Sequence, residues 1–298
     1  MSLAGATPGR LRRAVDDRSA TLLVVPLLLF DLAVFVVPFG YLLRIALSER
    51  ATAQAYVEGS WSVESFTYLA TASNVHELFA FTLGFAVVAT VVSLAVSLLY
   101  AYAMWRADGA LRVVLTAGVL VSMFTAIVVK LFAAVLVYSP NGLVNDLLVG
   151  SGLLAEPLLL VNNGVGALLG QLYVIVPYSV LAVYSVLATI DESLLEAARD
   201  LGAGPIRTVR AVVVPHVVPG LLVGGVISFT WSIGAYAAPL LIGSGSERTA
   251  GIAVSDFLLQ QFDWPVAAAL GLVVTATVFL ALVVTWLALS RSGVDTGV

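Results

Sequence analysis

Long apolar stretches separated by short polar ones set the pattern of this chain. They run over roughly Thr21–Leu43, Leu78–Tyr102, Val113–Tyr138, Val165–Leu187, Val217–Ile242 and Val266–Leu289. Each approaches or exceeds the length of about 20 apolar residues that a helix needs to cross a hydrocarbon core. Lipid offers the backbone no hydrogen-bond partners, so a helix, which satisfies its own N–H and C=O groups, is the expected form. Gly84, Pro177, Gly224 and Gly225 interrupt some of the stretches, and neighbouring helices accommodate such interruptions in a bundle. The pattern predicts an all-α, polytopic membrane protein with six transmembrane helices. Residues 1–20 form a tail, 21–47 a first helix and 48–77 a connection. Residues 78–289 form a five-helix core that contains the long connection 191–219, and 290–298 close the chain.

Composition supports lipid as the solvent. The chain is 60% hydrophobic and 11% charged, where a soluble domain carries about 25% charged residues. A cleaved signal peptide is the competing reading of the first stretch, and Ala53-Gln54-Ala55 resembles a cleavage site. The stretch is much longer than the apolar region of a signal, about 7–15 residues, which favours a retained span. The basic run Arg10–Arg18 reads either as a short amphipathic elbow or as a plain positive tail.

Arginine placement orients the spans. Arg10, Arg12, Arg13, Arg18, Arg106, Arg112, Arg199, Arg207, Arg210 and Arg291 fall in the tails and alternate connections. Only Arg44, Arg50 and Arg248 fall in the others, a ratio of ten to three. Both termini are expected in the cytoplasm.

The net charge of −4 argues against a nucleic-acid partner. No cysteine is present, and His76 and His216 lie in different connections, so no metal site is expected. Lys130 follows valine, and no G-x-x-x-x-G-K-[ST] loop exists. If ATP drives the chain, a partner hydrolyses it. No paired carboxylates, histidine cluster or nucleophile elbow point to an enzyme, and no cofactor is called for.

Two charges lie inside spans, Asp31 and Lys130. Intramembrane charges are costly and face an interior or a water path. They pair across the bundle, line a translocation path, or snorkel without a role. Gln171, Tyr173 and Tyr178 in the fourth span, and Trp231, Ser232 and Tyr236 in the fifth, are softer path candidates. Aromatic faces suit an amine through cation–π contact, although packing and anchoring more often explain such residues. Gly220 and Gly224 make a small-x-x-x-small pair.

The connection from Asp191 to Pro219 carries a second pattern. Leu194, Leu195, Ala198 and Leu201 share a helical face. Asp191 or Ser193 caps its start. Gly202 and Gly204 suit a left-handed exit, and Pro205 suits the first turn of another helix. Pro215 and Pro219 are expected to restart the chain into the fifth span. The helix–turn–helix reads either as a knob that docks into a partner or as an amphipathic helix lying on the inner leaflet.

Glu196-Ala197-Ala198, Gly202 four residues on, and Val212-Val213-Val214-Pro215 resemble the EAA signature of binding-protein-dependent ABC importer permeases. That signature reads E-A-A, three residues, G, nine residues, I-x-L-P, with valine here for Ile and Leu. The flanking Leu195–Ala203 segment, Asn141-Gly142-Leu143-Val144-Asn145, Gly234 with Pro239 and Gly243, and Asp263-Trp264-Pro265 with Ala267-Ala268-Ala269 resemble spermidine/putrescine-type permeases. A departure is Lys130-Leu131-Phe132-Ala133, where that group tends to show arginine before an aromatic-rich stretch.

The resemblance implies a type I ABC importer permease fold in the plasma (inner) membrane. Glu196, Ala197, Ala198, Asp200, Gly202, Ala203 and Pro215 would couple it to the ATPase. Besides lipid, it implies as partners a second permease subunit that makes a heterodimer, two ATPase subunits and an extracytoplasmic solute-binding protein. The implied cargo is a polyamine such as spermidine or putrescine. Phosphonate, iron(III), thiamine and opine are the alternatives within the family. Outside it stands an ion-coupled secondary transporter that uses Asp31 and Lys130 directly.

Overall fold

The computed structural model describes residues 24–51 and 54–292. The N-terminal tail with its basic run, Ala53 of the cleavage-like tripeptide and residues 293–298 lie outside the described residues. Twelve helices and no strands make up the described chain. They are α1 (Val24–Ala46), α2 (Glu64–Thr71), α3 (Ser73–Arg106), α4 (Gly109–Phe124), α5 (Ile127–Tyr138), α6 (Leu143–Gly150), α7 (Gly164–Leu187), α8 (Glu192–Asp200), α9 (205–233), α10 (Ala237–Ile242), α11 (Ala250–Gln260) and α12 (Trp264–Ser292). Six helical stretches are long and apolar enough to cross a membrane.

Helices α3, α7 and α9 pack on one another as a central trio, with α4, α5 and α10 against α7. Small residues allow the close approach. A Cβ on Gly220 of α9 would sit 2.9 Å from the Ala182 carbonyl oxygen of α7. Hydroxyls then tie the trio together where lipid and packing exclude water. Ser179 and Ser228 are 2.6 Å apart, and Ser93 of α3 lies 3.1 Å from Ser228. The Ser179 hydroxyl also donates to the Gly224 carbonyl at 3.1 Å. Buried hydroxyls shared between helices are a recurrent glue in membrane bundles.

A second group forms around α12, which packs on α1, α2 and α11 and meets the trio through α9. Its polar end is clamped by Arg50, whose Nε donates to Asp263 at 2.7 Å. The other Asp263 oxygen accepts the Val266 N–H at 3.3 Å, which caps α12. Helix α1 is exposed along most of its length, and of its residues only Ile45 and Ala46 are buried. Its apolar surface therefore faces lipid or another chain.

Two expected spans are redrawn. The stretch Val113–Tyr138 is not one helix, because Thr125 and Ala126 adopt extended backbone (ψ 133° and 137°) between α4 and α5. Apolar side chains continue across the break, so hydropathy is blind to it. The stretch Val217–Ile242 begins earlier and breaks earlier. Helix α9 runs without interruption from 205, and the chain leaves it at Gly234 before α10. Pro215 and Pro219 do not restart the chain. A π turn at Val209–Val213 ends one residue, Val214, before Pro215, and such a widened turn absorbs that proline's missing N–H and its clash with the preceding turn.

Candidate functional site

The segment from Asp191 to Gly204 forms a small structured knob at one end of the bundle. Asp191 opens it by accepting the Ser193 N–H at 2.9 Å. That N-cap bond satisfies one of the four orphan donors of α8. Bonds from the Ser193 backbone and side chain hold the Asp191 carboxyl below its ordinary value. Gly202 closes the helix at φ +79°, and the Ala203 N–H reaches back to the Ala198 carbonyl at 3.0 Å. The bond spans five residues around a left-handed glycine, which is a Schellman exit. Gly204, expected to share that role, has an ordinary φ. Its carbonyl instead accepts from the Thr208 N–H at 2.9 Å and opens α9.

The knob has two sides. Leu195 is buried among Ala101 and Met104 of α3, Val183 and Leu187 of α7, and Val213 and Val217 of α9. Helix α8 packs on the start of α9, and Leu195 ties it into the apolar cluster that the ends of the three central helices share. Glu196, Ala197 and Asp200 are exposed, Leu194 is 44% exposed and Leu201 is 89% exposed. An exposed leucine beside a rigid turn is an unpartnered apolar contact. Leu194 and Leu201 were read from the sequence only as part of an apolar face. Their outward position became visible once Leu195 was placed underneath. Pro215 lies in α9 and is exposed.

The path candidates do not converge on one passage. Lys130 is 1% exposed, with its ammonium 5.9 Å from the ring centroid of Tyr173. Asp31 is exposed on α1, and no ion pair joins it to Lys130 among the described residues. The pairing across the bundle is therefore not formed, because α1 packs on α12 rather than on α5. Gln171 is buried and donates to Ser232 at 3.2 Å within the trio. Tyr178 stacks on Trp231 with ring centroids 5.8 Å apart. Tyr173, Trp231 and Tyr236 are each about two-fifths exposed, at 41%, 41% and 43%. A cavity of about 330 Å³ lies beside Tyr100, Tyr138 and Tyr173. A larger one, about 470 Å³, gathers Tyr68, Asn74, Glu77, Phe81, Arg248 and Gln261. The described residues hold no cluster of potential metal ligands.

Residues 93–292 match the family described as the binding-protein-dependent transport system inner membrane component. The chain is 26% identical over 210 residues to the spermidine/putrescine transport system permease protein PotB of Escherichia coli (strain K12), covering 70% of this chain and 76% of that one. It is 32% identical over 176 residues to the inner membrane ABC transporter permease protein YdcU of the same organism, covering 54% and 56%. Among solved structures, a chain of a bacterial alginate ABC transporter in complex with alginate pentasaccharide-bound periplasmic protein superposes with a TM-score of 0.77. That match covers 96% of this chain and 99% of the other at 17% identity, so it speaks for the fold.

Proposed function

The chain belongs to the binding-protein-dependent transport system inner membrane components, the permease subunits of ABC importers, and we propose that in such an importer it carries a polyamine. The observation that carries the coupling part of this reading is the knob at Asp191–Gly204. Its Leu195 is buried in the apolar cluster that the ends of α3, α7 and α9 share, while Leu201 stands exposed. A groove on an ATPase subunit that received the exposed side would hold a rigid handle on α3, α7 and α9. Closing two ATPase subunits on ATP would then shift the bundle between inward-open and outward-open states. ATP drives transport only because its binding favours one of those states over the other.

Glu196, Asp200 and the small Ala197, Ala198 and Ala203 shape the docking surface, and Gly202 fixes its turn. Pro215 belongs to the stem that joins the knob to α9. The knob and both termini lie in the cytoplasm on this reading. A second, similar permease subunit completes the pathway, and an extracytoplasmic solute-binding protein delivers cargo. Lys130, Asp31, Gln171, Tyr173, Tyr178, Trp231 and Tyr236 remain the candidates for the path, with Tyr178 and Trp231 paired.

The polyamine reading rests on the likeness to PotB, whose name gives spermidine and putrescine, and on exposed aromatic faces suited to ammonium groups. Uptake of labelled spermidine by vesicles carrying the complete transporter tests it. ATP-dependent uptake competed by putrescine supports a polyamine importer. No spermidine uptake, with another solute raising the complex's ATPase rate, retains the permease and discards the polyamine.

A further inference from the structure

We propose that a cleft beneath the docking knob binds the headgroup of an anionic membrane phospholipid and that the bound lipid steadies the knob. The proposal rests on the cytoplasmic, ATPase-docking reading of that end of the bundle. The cleft has a volume of about 240 Å³. Tyr102, Trp105 and Arg106 from the end of α3 form one wall, and Leu195, Thr208 and Val213 belong to the other.

Depth comes from the length of α3. Its 34 residues span roughly 50 Å at about 1.5 Å per residue, against a hydrocarbon core of about 30 Å. The helix therefore extends beyond the hydrocarbon, and tyrosine and tryptophan in its last turns fit the headgroup layer, where both are enriched. Tyr102 and Trp105 pack there with ring centroids 5.9 Å apart.

Charge comes from Arg106. It is exposed, its guanidinium lies 5.7 Å from the Trp105 ring centroid, and no carboxylate pairs with it among the described residues. The neighbouring Arg112 is already engaged. It donates to the Ala107 carbonyl at 2.8 Å and the Trp105 carbonyl at 3.3 Å, and sits 3.8 Å from Asp108. Arg207 and Arg210, at the start of α9, are also exposed and outside any ion pair among the described residues. Among the described side chains, the acids at this end are Asp108, the cap Asp191, and the exposed Glu196 and Asp200, and none of them lines the cleft.

Thr208 spends its hydroxyl on the Ala203 and Gly204 carbonyls. Arg106 is thus the cationic side chain on the cleft wall that can meet a phosphate, and basic pockets at the cytoplasmic ends of membrane helices bind anionic headgroups. The apolar wall of Leu195 and Val213 suits an amphiphile better than a free phosphate. Because Leu195 belongs to the docking helix, a lipid filling the cleft braces that helix from below.

The test is native mass spectrometry of the intact complex with phosphatidylglycerol or phosphatidylcholine, with and without glycerol phosphate. The expected result is preferential, saturable phosphatidylglycerol binding that glycerol phosphate does not displace. Arg106→Gln should weaken it about five-fold, the factor given by roughly 1 kcal/mol per arginine, and Arg106→Lys should restore most of it. In nanodiscs, phosphatidylglycerol should raise the ATPase rate over phosphatidylcholine alone, and Arg106→Gln should flatten the difference. Equal binding of both lipids, or binding unchanged in Arg106→Gln, overturns the site. Displacement by glycerol phosphate overturns the lipid in favour of a soluble phosphate. An ATPase subunit that fails to associate with a lipid-loaded permease rejects the coupling reading and the bracing role, while the lipid adducts stand as a separate result.

Discussion

Gly202 concentrates the account at the scale of one residue. A Cβ there would meet nothing within 4 Å, yet φ is +79°. The position is roomy but conformationally closed to branched side chains, which pay about 1–3 kcal/mol in such a region. Gly202→Val should leave the complex assembled but tilt or fray α8. We expect at least roughly ten-fold lower uptake per ATP hydrolysed in proteoliposomes, about the factor that 1.4 kcal/mol represents. Gly202→Asn, which tolerates the left-handed region, should retain most of the coupling. Equal coupling in the valine and glycine proteins would detach this turn from transmission. Gly202 was legible in the sequence because a glycine after a short apolar helix has one common use. Lys130 was legible only as a cost. Its burial beside Tyr173 and its separation from Asp31 depend on which helices neighbour α5, and residue spacing carries no such information.

Among the elements, α7 and α9 carry the sharpest packing constraint. A Cβ at Gly220 would lie 2.9 Å from a backbone oxygen of α7 and 3.1 Å from the Val183 Cα. Both are backbone atoms of α7, which cannot swing aside as a side-chain tip can. At Gly225 the nearest atom is the tip of Leu94, 3.4 Å away. Gly220→Leu should therefore cost several times what Gly225→Leu costs, with overpacking worth about 1–3 kcal/mol or more. Thermal melting of the purified permease should show the larger drop for Gly220→Leu, and equal drops would refute the close approach.

Four of the six apolar stretches were legible as helices, the fourth to within one residue at either end, and the third and fifth were not. Thr125 and Ala126 break the third without a glycine or proline to announce it. Pro215 and Pro219 announce a break that the π turn before Pro215 removes. Ser93, Ser179 and Ser228 are unremarkable singly, and only the packed trio makes them partners.

On the scale of the whole molecule, the described chain divides into the trio of α3, α7 and α9 with its attached helices, and the group around α12. The knob rests on the trio, and the Arg50–Asp263 clamp belongs to the α12 group. Membership of the permease family makes this the membrane part of an importer, and on the proposed reading the knob ties it to an energy source. ATP-driven transport through a docked ATPase is the central claim, and an ion-coupled carrier using Asp31 and Lys130 directly is its rival. The deciding measurement is solute uptake by proteoliposomes holding the permeases, the ATPase and the binding protein, with ATP and ion gradients varied separately. The account predicts uptake that requires ATP and persists when a protonophore and ionophores abolish the gradients. Uptake that persists without ATP and collapses with the gradients would contradict it.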